Sequence, residues 1–325
     1  MAPETIQEQV RKHLTDAHSI EQQALVQMKL APKIAGDPQL AELFARHREE
    51  TEGHERRVRE RLAALGGKPA IVKDVAGQVT GVGFALFAKF NPDTPGKLVV
   101  HGYSYEHMEL AAYALLGALA QEAGDLETAE LARSIAGEEQ DMAQRLAASF
   151  DVAVQASLRD LSPDDISAQL NRYLEDAHAL EVQSLQLLER SPGMAGHPEL
   201  AQTFETHLEQ TREHEALVRE RLEQRGASPS RIKDAALRLG ALNWGMFFAA
   251  QPDTPIKLAG FAFAVEHLEI AAYELLGRVA QRAGDQETVA LAQRILAQER
   301  HAATQVHEQF DAALEAGLRE QDLSR

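Results

Sequence analysis

Along nearly the whole chain, apolar residues recur three and four positions apart, with Ala, Leu, Glu, Gln and Arg dominating. That period predicts helix almost everywhere, and no segment alternates as a strand would. Proline and glycine punctuate the pattern. A first long helix is expected from about Pro3 to Leu30, stopped by Pro32 and the Gly36-Asp37-Pro38 turn, and a second from Pro38 to about Leu65, before Gly66-Gly67. A third opens at Thr94-Pro95, a cap followed by proline, and reaches Ala123. Gly124-Asp125 then turns the chain into a fourth, which runs to about Leu158.

Between the second and third helices lies a crossover of nearly thirty residues, carrying a short apolar helix expected over about Ile71 to Phe90. Its apolar run, Val79 to Phe90, holds glycines and ends at a lysine. It is well short of the roughly 20 residues that span a bilayer, and so reads as a packed crossover helix. Short, long, short is the connectivity of a ferritin-like four-helix bundle.

Sliding the sequence by 160 positions aligns it with itself without a gap from about Gln9 to Arg159, with about two positions in five identical. Asp16-Ala17-His18 returns as Asp176-Ala177-His178, and Pro92-Asp93-Thr94-Pro95 as Pro252-Asp253-Thr254-Pro255. Such a period is too long for a solenoid, so each copy is a domain. The boundary falls where Ser162 caps and Pro163 opens a new helix. The expected architecture is therefore all-α, two tandem ferritin-like bundles over 1–160 and 161–325, each with its long crossover and short extra helix. A fused pair of this kind would form a pseudo-dimer within one chain, present as a monomer or a homodimer.

Composition narrows the chemistry. With Lys+Arg 33 against Asp+Glu 50 the net charge is −17, which argues against a nucleic-acid surface. There is no cysteine, so any metal must be held by oxygen and nitrogen. Met1-Ala2-Pro3-Glu4 leads directly into a charged helical pattern with no apolar signal core, and no stretch is long and apolar enough for a membrane. A cytoplasmic protein is expected. Gly-rich phosphate loops and serine nucleophile elbows are missing, which removes support for nucleotide-dependent chemistry.

What remains is a set of acids where a core should be. On the apolar third helix, Glu106 and Glu109 sit three apart with Tyr113 four further on, all on one face, among Leu110, Leu116, Leu119 and Ala120. Burying such carboxylates requires protons, cations or a metal. The set returns as Glu266, Glu269 and Tyr273. The first helix offers His18 and Glu21 (His178 and Glu181), the second the stripe His47, Glu50 and His54 (His214 in the repeat), and the fourth Glu139 (Glu299). Glutamates from four helices with added histidine suit hard-to-borderline ions such as iron and manganese. Glu49, Glu52, Glu55, Glu60, Glu127 and Glu138 read instead as ordinary solvated helix surface. For His18, His47 and His107, ligand and hydrogen-bonded core roles stand about level.

The string Glu106-His107-Met108-Glu109-Leu110-Ala111-Ala112-Tyr113, with Ala120-Gln121-Glu122-Ala123-Gly124, Glu138-Glu139-Gln140 and His47-Arg48-Glu49-Glu50-Thr51, resembles the YciF-like ferritin-like family, a domain-of-unknown-function type. The resemblance covers nearly all of both copies. It implies a four-helix bundle, often dimeric, holding a di-iron or related centre and linked to bacterial stress responses. It would place ligands at Glu21, Glu50, Glu106 or Glu109, and Glu139, with His54 joining them, and at Glu181, His214, Glu266, Glu269 and Glu299 in the repeat. The Glu-x-x-His pairs of the standard di-iron bundle are absent: Thr51 and Met142 stand at the relevant positions. In the second copy Glu50 becomes Gln210, a poor bridging ligand, Glu138 becomes Gln298, and His301 replaces Asp141. The expectation is a first copy that binds metal better than the second, with iron or manganese absent from the second at the extreme, or redox chemistry lost from both.

Three functions follow. The leading one is a dinuclear metal-carboxylate protein handling iron or manganese and reacting with dioxygen or peroxide, with Tyr113 as a nearby hydrogen-bond or electron donor. Against it stands a non-catalytic helical binding or scaffold module whose inward acids are protonated or bonded to His18, His54 and Tyr113. The third is a metal-free enzyme using Glu/His pairs for acid–base work, with activity that survives chelation.

Overall fold

A computed structural model describes residues 4–68, 93–230, 233, 251 and 253–323. Among these no strand occurs, and the chain falls into two compact units, Met1–Arg159 and Asp160–Arg325. In the first unit α1 (Ile6–Met28) is followed by a single turn, α2 (Ala31–Ile34), then α3 (Pro38–Ala64), α4 (Thr94–Glu122) and α5 (Leu126–Leu158). The second unit repeats this as α6 (Pro163–Leu188), a 3₁₀ turn (Ser191–Met194), α7 (Pro198–Gln224), α8 (Thr254–Arg282), α9 (Gln286–Glu308) and α10 (Phe310–Glu320). The expected short crossover helix, 71–90, lies outside the described residues.

Local chemistry explains the boundaries. Thr5, Asp37 and Asp125 each accept a backbone N–H of the helix they open, and Ser162 and Asp165 form a reciprocal capping box on α6. Pro32 does not simply stop a helix: it sits in the first turn of α2, where a missing N–H costs nothing. The fourth helix of the second copy is interrupted at Gln309, where the first copy runs unbroken through Ser149, and nothing in the structure explains the break.

In each unit the four long helices pack side by side. In the first, α1 lies against α3 and α4, and α5 against α3 and α4. Cross-helix pairs step in opposite directions along the partners: Arg11 reaches the carbonyl of Leu65 while His18 meets Glu55, and Arg61 meets Thr128 while His54 meets Glu138. Neighbours are therefore antiparallel. Leu14, Phe44, Leu62, Leu116, Leu119, Ile135, Met142 and Leu146 are fully buried in this core. Near the middle of the four helices the core is not apolar, and that layer forms the site.

Candidate metal centre

Each long helix of the first unit contributes acids or imidazoles to the buried layer. The first, α1, brings Glu21. Next, α3 brings His47 and His54, seven residues apart and so on almost the same face. Then α4 brings Glu106 and Glu109, a turn apart, and α5 brings Glu139. All six are at most 1% exposed.

They converge as two groups. His47, Glu106, Glu109 and Glu139 each present a ligand atom within 4.8 Å of the others, and so do Glu21, His54 and Glu139. Glu139 belongs to both. His47 Nε2 lies 3.0 Å from Glu106, and His54 Nδ1 lies 2.7 Å from Glu139 and 3.9 Å from Glu21. The second unit repeats the arrangement with His207, Glu266, Glu269 and Glu299, and with Glu181, His214 and Glu299. There His207 Nε2 is 2.9 Å from Glu266 and His214 Nδ1 is 2.7 Å from Glu299.

The donor set fits a cation. Both carboxylate oxygens of Glu109 and of Glu139 are buried with no hydrogen-bond partner, as are one oxygen each of Glu21 and Glu106. His54 Nδ1, although close to Glu139, is out of line for a hydrogen bond. Lone pairs thus face a shared space instead of donors, an arrangement costly without positive charge there. Two divalent ions would balance the four glutamates of each copy while leaving both imidazoles neutral.

A second layer holds the first. Tyr113 donates to Glu21 Oε1, and Tyr273 to Glu181. The outward nitrogen of His54 is 3.0 Å from Glu138, which takes a bond from Arg57 at 2.8 Å. The outward nitrogen of His47 faces Glu50 at 3.5 Å, and Glu50 is paired with Arg145.

Residues 5–159 and again 166–319 match the family described as "Domain of unknown function (DUF892)". The chain belongs to this family. It is a tandem DUF892 protein, in the YciF-like group that its motifs resemble. No solved structure matches it.

Of the ligands expected in this DUF892 chain, Glu21, His54, Glu106, Glu109 and Glu139 come together, as do Glu181, His214, Glu266, Glu269 and Glu299. Glu50 does not: it lies outside both groups. A helix turns about 100° per residue, so Glu50 is rotated about 60° from His47 while His54 is only about 20° away. The residue that enters instead is His47, with His207 in the repeat. Its signal was the spacing of seven from His54, present in both copies. Because Glu50 lies outside both groups, its exchange for Gln210 takes nothing from the corresponding groups of the second copy. Glu138, expected as plain surface, is bonded to His54 while still 44% exposed. His18 is buried but bonded to Glu55, His107 turns its Nδ1 to the carbonyl of Tyr103, and His301 is exposed.

Burial and crowding set the protonation of the DUF892 cluster. Glu21 is pushed up to about 8 by burial, with the nearby charge of Glu139 adding to it. Burial likewise raises Glu106, to about 7 against the pull of His47, and takes Glu109 well above the carboxylate range. For the imidazoles, burial opposes the charge, but Glu106 lifts His47 to about 10 and Glu139 lifts His54 to about 9. His47 in turn holds Glu50 down at about 2. Without a metal the cluster is a shared-proton network, and a metal would compete with those protons.

Proposed function

We propose that each copy is a ferritin-like four-helix bundle, over 1–160 and 161–325, that binds a dinuclear iron or manganese centre. The observation that carries this is Glu139, shared between two ligand groups and free at both oxygens, with Glu299 in the same position in the repeat. A carboxylate so placed suits a bridge between two ions. Glu21 and His54 would hold one ion, and His47, Glu106 and Glu109 the other. Oxygen-rich donors with one imidazole per ion favour iron or manganese.

Such a pair supplies one-electron redox chemistry toward dioxygen or peroxide, and a role in bacterial stress response accords with that. The chain's own residues prepare the site. Tyr113 orients Glu21 through its hydroxyl, Glu138 and Glu50 face the outward imidazole nitrogens, and the leucine-rich core keeps bulk water out. Among the described residues no helix is long and apolar enough to cross a membrane. A cytoplasmic, cysteine-free chain of net charge −17 suits metal-ion handling better than binding to nucleic acid.

The test is metal content per chain, by mass spectrometry, after purification without chelator and reconstitution with Fe(II) or Mn(II). About four ions per chain are expected, with Glu139→Ala removing about two. A folded parent retaining none would exclude the centre. It would favour a helical binding module, a reading supported by the close approach of His47 Nε2 to Glu106, 3.0 Å apart, a pair that can share a proton without a metal.

A further inference from the structure

The inner residues are identical in the two copies: Glu21, His47, His54, Glu106, Glu109, Tyr113 and Glu139 return as Glu181, His207, His214, Glu266, Glu269, Tyr273 and Glu299. The layer around them is not. In the first copy both imidazoles turn their outward nitrogen to a carboxylate, His47 to Glu50 and His54 to Glu138. In the second copy both face a neutral amide at nearly the same distance: His207 Nδ1 to Gln210 at 3.4 Å and His214 Nε2 to Gln298 at 3.1 Å.

The arginines change with the acids. Arg145, which pairs with Glu50, is replaced by Gln305, and Arg57, which pairs with Glu138, by Leu217. Two complete carboxylate–arginine pairs are thus present around one centre and absent around the other, so each pair behaves as a unit. A further change tends the same way. Ser184, at the position of Ala24, donates to Glu269 at 2.7 Å and occupies one of its oxygens, whereas both oxygens of Glu109 are free.

We propose that Glu50 and Glu138, each anchored by its arginine, are positioning residues that make the first copy the tighter metal centre, and that Gln210 and Gln298 make the second the weaker, more exchangeable one. A carboxylate on the outward nitrogen orients the imidazole, fixes its tautomer and strengthens it as a donor, whereas an amide orients it without adding negative charge. Loss of such a partner typically costs 10–100-fold in metal affinity. The duplicated chain would then hold a permanent and an exchangeable centre of the same inner chemistry. This rests on the metal-centre reading above.

The experiment is Mn(II) titration calorimetry of the full chain in two backgrounds, Glu299→Ala to isolate the first centre and Glu139→Ala to isolate the second. The first centre is expected to bind about 10–100-fold more tightly. In the Glu299→Ala background, Glu50→Gln with Glu138→Gln should abolish most of that advantage. In the Glu139→Ala background, Gln210→Glu, Gln305→Arg, Gln298→Glu and Leu217→Arg together should confer it on the second. The gain in the transplanted copy cannot come from misfolding, and circular dichroism checks each variant. Equal affinities that do not respond to either exchange would overturn the inference and leave the metal centre standing. A parent that binds no Mn(II) at either copy would overturn both.

Discussion

Glu109 is buried to 1% exposure, with neither oxygen hydrogen-bonded, and its neighbours Glu139, Glu21 and Glu106 are acids too. Without a cation it is tolerable only as the neutral acid. That condition has a pH signature. Glu21 at about 8 and Glu106 at about 7 lie above the ordinary carboxylate value of 4.5, so their contribution is complete below 4.5 and is lost as pH rises through 7 and 8. His47 at about 10 and His54 at about 9 lie above 6.5, so theirs is complete below 6.5 and is lost as pH rises through 9 and 10. Glu50, held at about 2, acts oppositely: its contribution is present above 4.5 and is lost as pH falls through 2. The metal-free protein should therefore melt highest near pH 5 and at progressively lower temperature up to pH 10, by calorimetry in chelator. A flat or rising profile over pH 6–10 would contradict the burial of this cluster. Replacing Glu109 by Gln should make the alkaline side less steep, by removing one of the raised carboxyls, and abolish metal binding in the first copy.

At the scale of elements, the site depends on α3 and α5 keeping their register, and one arginine clasps them. Arg61 of α3 bonds Thr128 at 2.8 Å, Asp125 at 2.6 Å and Glu127 at 2.5 Å, all at the opening of α5. Asp125 also caps α5 by accepting from the N–H of Thr128 at 3.0 Å. Arg221, Asp285, Glu287 and Thr288 repeat the clasp, with Arg225 added on Asp285. Asp125→Ala should cost about 1–2 kcal/mol, typical of a lost cap, and lower the melting temperature of its unit by roughly 3–6 °C. Asp285→Ala should cost more, because two arginines, Arg221 and Arg225, each lose one of their partners; equal effects would show that the Arg225 bond to Asp285 adds nothing. The turn before α3 is constrained too. Gly36 has φ of +68°, and an added Cβ would lie 2.8 Å from Pro95 Cγ, so Gly36→Ala should destabilise the start of α3.

At the scale of the molecule, each unit closes its own core and holds its own acids, and each should be stabilised by its own metal. Ligand binding to the native state alone raises stability by about 2.7 kcal/mol at a hundredfold excess over Kd. Adding Mn(II) to the metal-free chain should therefore raise its melting temperature, with a second transition that shifts only at higher concentration if the second centre binds more weakly. Coincident shifts would argue for equal centres. If the duplication serves as a covalent pseudo-dimer, light scattering should return the mass of a single chain, 35.7 kDa. Twice that mass would show that pairing between chains persists.

The helices, their repeat at 160 positions and most of the inner acids are legible in the order of residues, because helical period and capping are local and Glu21, Glu106, Glu109 and Glu139 stand among residues that must be buried. Which of His47 and Glu50 faces the cluster became clear from the packed helices, since three residues along a helix move a side chain by about 60°, too little for periodicity to resolve and enough to carry it from the core to the rim. The same holds for Glu138, whose exposure disguised its bond to His54, and for the sharing of Glu139 between two groups. Those facts arise where helices distant in sequence meet, and meeting is a property of packing.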